Sequence, residues 1–425
     1  MNDAVLFVSG SSHKLVVSGF SRTGLIDPMC RRCFLCVLCT LCVLRLCAAQ
    51  EPAAPQPVSA AQLKAAIDKL GDLDYTTRTN ASRIVRRTPG AQAVPALIQT
   101  VSDHADGYVR YRALVLLTGF NDPRTVTAMR ESFASPNDRL RAAACRFFEH
   151  SPDRSMIGSF IAALDKEQGE FVRPALVRAL AAAAATMADA EATPVRAALV
   201  REAARGEDYF RSAVIEALGD YKAAYGFDAL VKIARLEGPL QDDAALALGK
   251  IGDKRALETL AGLQRSAPRQ TQPSIAAAIC LLGINCETHI NFLAETLKFA
   301  DRNLGFQEFL RGAAVGLAAL GVAGHAEAAD ALFAIGIPSR DPTRAPIALA
   351  LGTIALRNTK LLLPLIERHP DRDQAMALLA EGFDMLEEDL DKERFFAFAR
   401  RTFWESPQDS PRRGLMQALI GRLDF

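Results

Sequence analysis

The chain has 425 residues, half of them apolar, so it can bury a large core, yet only 7 % are aromatic. Alanine and leucine supply most of the apolar content, which favours helices over strands. Fifty Lys/Arg against 49 Asp/Glu leave a formal charge of +1; without a basic block this excludes the electrostatic footprint of a nucleic-acid binder.

Residues 1–49 carry five Lys/Arg against two Asp/Glu, and six of the nine cysteines fall in CRRCFLCVLCTLCVLRLC, Cys30 to Cys47. Five of the six are spaced three apart, which suggests metal ligands. A cluster needs thiolates converging on one point, with loops between them. Here the intervening residues are apolar and helix-compatible, and helical positions three apart drift by about 60° per step, so the thiols spiral away from each other. Arg31-Arg32 stand ahead of the apolar stretch, and AAQEPAAPQP follows it. That order is the n-region, h-region and small-residue boundary of an export signal, in which cysteine serves as a small hydrophobe. We therefore read residues 1–49 as a targeting segment, either a cleaved signal peptide or an uncleaved anchor that leaves residues 33–49 in the inner membrane. The expected address is the periplasm or cell envelope. Met29 is the expected start, with residues 1–28 untranslated; Arg45 departs from the pattern. No later segment is apolar for long enough to give a second membrane span.

Residues 50–60, rich in Ala, Pro and Gln, read as a linker. From residue 61 to the C-terminus one motif recurs about ten times. Its clearest copies open on an acid, a hydrophobe and an arginine: DGYVRYRALVLL with Arg110, NDRLRAAACRFF with Arg141, EFVRPALVRALA with Arg173 and EDYFRSAVIEAL with Arg211. Arg78 heads an earlier, degraded copy; the steps from it are 32, 31, 32 and 38 residues. Later copies lose the arginine and keep the hydrophobic frame, as in DDAALALGKIGDKRALETLAGL. Apolar residues at three- and four-residue steps predict two short amphipathic helices per copy. Gly252-Asp253, Gly219-Asp220 and Asp122-Pro123 stand between the two stripes, where a glycine suits a left-handed C-cap and an aspartate the next N-cap. One hairpin cannot bury its apolar face alone, so the copies must stack.

The "VRxxA…ALG.xGD.RAl..L" frame, seen best at residues 210–234 and 242–263, resembles the HEAT-like repeats, in particular the short variety of bilin lyases and many bacterial proteins. The resemblance implies an all-α fold, an α-solenoid of stacked helical hairpins over residues 61–425. It also implies a structural polar ladder between repeats, carried here by Asp106/Arg110, Asp138/Arg141, Glu170/Arg173 and Asp208/Arg211. The sharper reading of those arginines is a basic stripe gripping an acidic partner.

No catalytic, cofactor or metal motif emerges. None of the six histidines lies within seven residues of another, and the His-Glu dipeptides that HEAT-like iron hydroxylases use as ligands do not occur. Cys145 reads as a packed helix residue, whereas Cys280 and Cys286 are close enough to bridge in an oxidising compartment. DMLEEDLDKE (384–393) reads as a solvated acidic face. In RFFAFARRTFW, Phe395, Phe396, Phe398, Phe403 and Trp404 form either a C-terminal aromatic cap or an exposed partner anchor. The expected function is an exported, non-enzymatic scaffold binding another protein, with no cofactor and no nucleic acid. The alternative is a chromophore-attachment enzyme like the bilin lyases.

Overall fold

The computed structural model describes residues 57–303 and 305–425, all within the unit Pro52–Phe425. The expected targeting segment, its cysteine run and most of the expected linker lie outside the described residues. Among the described residues are 22 α-helices and no strand, so the fold is an all-α solenoid. No described helix is long and apolar enough to cross a membrane.

A lead helix, Ala60–Asp68, is followed by ten hairpins, and a last helix, Pro411–Leu423, trails them. In each hairpin the first helix joins an inner layer and the second an outer one. The inner layer runs through Gly107–Leu117, Asp138–His150, Val172–Thr186, Asp208–Asp220, Gln241–Ile251, Gln272–Leu281, Gln307–Ala323, Arg344–Arg357 and Arg372–Met385, each packed on the next. The stacking surface is leucine and alanine, as in Leu176, Ala179, Leu180 and Ala183. Each fully buried leucine contributes about 1.5–3 kcal/mol.

Gly219 and Gly249 set the spacing of this layer. A Cβ on Gly219 would stand 2.8 Å from the Cα of Ala247, so only glycine lets those helices approach this closely. This corrects the turn expected at Gly219-Asp220. Both residues are still helical, and the left-handed residue after that helix is Lys222 (φ 50°), where the next hairpin has Gly252 (φ 82°). Gly252 caps as expected, and Asp253 accepts from the Arg255 amide.

The tenth hairpin breaks the pattern. Its second helix, Asp389–Glu405, leaves the outer layer and crosses to the N-terminal inner helices Gly107–Leu117 and Asp138–His150, while Pro411–Leu423 stacks against the ninth and tenth hairpins instead. The solenoid thereby curls until its end meets its beginning. Arg86 Nε lies 2.8 Å from Glu393 Oε2 with both side chains buried. The Arg400 guanidinium donates to the Arg86 carbonyl at 2.8 Å, and Arg83 pairs with Asp424. The 384–393 segment is therefore no simple solvated face: Asp391 and Glu393 are buried. Nor does the aromatic segment sit at the chain's open end. Phe395 and Phe403 are buried, Phe396 stacks on Phe425, and Trp404 is half-exposed.

Candidate functional site

The curl encloses a lumen of about 1300 Å³, lined by inner helices from Asp138–His150 to Arg344–Arg357 and by the closing helix. Its two walls differ in chemistry. One is charged. Arg178, in the middle of an alanine-rich helix, reaches Glu149 at 2.8 Å and Asp220 at 3.0 Å. Lys250 holds the other oxygen of Asp220 at 2.7 Å, and the Tyr221 hydroxyl donates to Glu149 at 2.8 Å. Burial alone would raise the Asp220 carboxyl, but Lys250 and Arg178 outweigh it and hold it below the usual value. Glu216, ringed by protein though open to the lumen, is pushed up by desolvation and by Asp243 and Asp220, against the pull of Lys250.

The closing helix adds a second group. Asp389 accepts from the Tyr111 hydroxyl at 2.9 Å and pairs with Arg112 at 2.8 Å. Asp391 lies 2.7 Å from His150 Nε2 and 3.3 Å from Arg357, which also pairs with Glu388 at 2.8 Å. Burial opposes ionisation of Asp391, yet His150 and Arg357 hold its carboxyl well below the ordinary range. These carboxylates are committed to cations, so they build the lumen and leave little charge to spare.

The facing wall is apolar: Val315, Ala318, Val322 and Leu349, with Phe398 from the closing helix. Val315 is 53 % exposed, unusual for an inner-layer residue. Two lumen guanidiniums, Arg311 and Arg394, are exposed and form no ion pair among the described residues. An apolar wall, a charged wall and two uncommitted cations together suit an amphipathic occupant with an acidic group.

The arginines singled out in the sequence have another job. Arg110 donates to the carbonyl of Val101, Arg141 to those of Ser135 and Pro136, and Arg211 to that of Ala203. Each ties down the open end of the preceding outer helix and so fixes the angle between hairpins. Gln241, Gln272 and Arg344 do the same in later copies. Of the four acid–arginine pairs only Asp208–Arg211 is joined, at 3.0 Å. Asp106 caps its helix at the Tyr108 amide, and Arg141 pairs with Glu167 instead of Asp138. Arg173 lies 3.7 Å over the Phe210 ring rather than against Glu170. Arg311, in the matching EFLR, reaches the lumen. Phe395 and Phe398 line the lumen as well. Cys280 and Cys286 are bridged, with Cα atoms 4.4 Å apart, and Cys145 is buried with its thiol pushed up by desolvation. Sequence reasoning missed Glu149, Arg178, Asp220, Lys250, Arg357 and Asp391. Their one local signal is a charge interrupting an otherwise apolar helix, as Arg178 does.

The family model of HEAT repeats matches residues 63–147 and, overlapping them, 94–181. That stretch consists of HEAT repeats, and the hairpins after it continue the same HEAT-like architecture. No curated protein sequence gave a significant match. Among solved structures, YibA of Escherichia coli is 18 % identical over 53 % of this chain and 83 % of its own (TM-score 0.39). The CpcE–CpcF complex of phycocyanin lyase from Nostoc is 21 % identical over 54 % and 90 % (TM-score 0.34). Yeast importin-β, Kap95p, is 13 % identical over 86 % of this chain and 55 % of its own (TM-score 0.39).

Proposed function

We propose that this HEAT-like repeat protein is an exported, non-enzymatic scaffold that binds another protein by taking an extended segment of it into the lumen. One observation carries the reading: an apolar wall faces a charged one, and Arg311 and Arg394 stand uncommitted between them. Solenoids generally bind along such inner surfaces. Closure leaves too little room here for a folded domain, because about 1300 Å³ is close to the ~300–1,000 Å³ scale of ligand clefts. The occupant is therefore an extended peptide with acidic and apolar side chains.

Selection from a displayed peptide library tests this. Peptides enriched on the protein should carry acids beside hydrophobes, and should lose at least about tenfold in affinity on Arg311→Glu, Arg394→Glu or Val315→Glu. Leu73→Ser, at a fully exposed outer position, should change nothing. Selected peptides indifferent to the lumen variants would refute the reading, and displacement of peptide by a free tetrapyrrole would move it towards chromophore handling. Export rests on the order of residues 30–50, and N-terminal sequencing of native protein checks it. A mature chain beginning within residues 1–28 would contradict it.

A further inference from the structure

Beside the lumen, and independent of the peptide reading, Cys280, Cys286 and His325 bring their donor atoms within 4.8 Å of one another. Cys280 is buried at the end of Gln272–Leu281. Cys286 opens Cys286–Arg302, and the chain between them turns through left-handed Gly283 and Asn285. His325 stands at the N-cap of Ala326–Gly336, a position that Ser, Thr, Asp and Asn favour for the bond they give the helix. Its side chain makes no such bond, and its ring has no hydrogen-bond partner among the described residues. It lies instead with the two sulfurs, while His325 and Leu281 face the lumen.

We infer that these three residues form a redox-gated site for one zinc ion. With the bridge closed the sulfurs are bonded to each other and cannot bind a cation. A dithiol reductant delivers two electrons and two protons, cleaving the S–S bond to give two thiols and a reductant disulfide. Zinc then displaces both thiol protons to the solvent and takes two thiolates and the neutral imidazole. Ligands of tetrahedral zinc at about 2.0–2.3 Å stand roughly 3.3–3.8 Å apart, so the cluster needs only a small shift. The start of the Cys286 helix favours its thiolate, and the lumen beside His325 leaves the fourth position to water. The compartment thus decides the state: a bridge where the surroundings oxidise, a metal site where they reduce.

The test uses the full chain with Cys30, Cys33, Cys36, Cys39, Cys42 and Cys47 replaced by serine, and cobalt(II) as the probe. Reduced with a phosphine, the protein should bind one equivalent of cobalt and show a thiolate-to-cobalt charge-transfer band. Oxidised protein should show none. His325→Ala should keep its helical circular dichroism and weaken binding by more than about tenfold, since even outer-shell partners are worth ~10–100-fold. Cys286→Ser should abolish the band. Reduced, folded protein that binds no cobalt would overturn the site, as would His325→Ala binding as tightly as its parent.

Discussion

Two kinds of joint hold this protein together, and they differ in chemistry. Between consecutive hairpins the inner helices meet through alanine, leucine and glycine, with Gly219 against Ala247 and Gly249 against Ala278 among the close approaches. Where the end of the solenoid meets its start, the contact instead runs through Arg86–Glu393, Arg112–Asp389 and His150–Asp391–Arg357. Apolar stacking contains no titrating group, so it responds little to pH, and kosmotropic salts strengthen it. A buried ion pair is costly to form, and removing one partner leaves an uncompensated charge. The repeats therefore supply stability, whereas the closing joint supplies a specific register and a point of release.

The largest effect should come from Glu393→Ala. It leaves Arg86 buried without its anion and close to Arg400, whose guanidinium burial and Arg86 already disfavour. We expect a loss of about 3–5 kcal/mol in denaturant unfolding, largely restored by pairing Glu393→Leu with Arg86→Met. Gly219→Val should cost about 1–3 kcal/mol or more by overpacking the stacking joint. It should leave the closing contacts intact by small-angle scattering, and equal damage to both joints would argue against their independence.

Acid should separate the joints next. Asp389 and Asp391 have folded-state carboxyls below the ordinary value: burial opposes this, and Arg112 with Lys392, or His150 with Arg357, overcome it. The stability they give is complete above the unfolded value of about pH 4. It is lost as pH falls towards the folded values. Scattering should report an expanded particle in acid while far-ultraviolet helicity persists. The smallest effect belongs to Asp208→Ala, which removes a half-exposed pair within one helix and should shift stability by less than about 0.5 kcal/mol.

The stacking joints were legible in the sequence because their signal is local: apolar positions at helical spacing, repeated every thirty or so residues. The recurring arginine was legible too, although its role as a brace on the preceding helix depends on where that helix ends. The closing joint was not legible. Arg86 and Glu393 are 307 positions apart, and a run of acids beside phenylalanines reads locally as a wet face next to a greasy one. Only the curvature summed over ten hairpins brings them together. The lumen escaped for the same reason, since Glu149, Arg178 and Asp220 come from three different hairpins. Lys222 shows a subtler limit, because it holds the left-handed position that glycine marks at 252.

Closure is the claim on which the lumen depends, and resonance energy transfer between bio-orthogonal labels at exposed Asn80 and Arg422 tests it most directly. The closed solenoid predicts one population of high transfer efficiency near neutral pH, falling sharply in Glu393→Ala. Low efficiency in the unsubstituted chain under those conditions would mean that the ends stand apart, and that the lumen is an open groove.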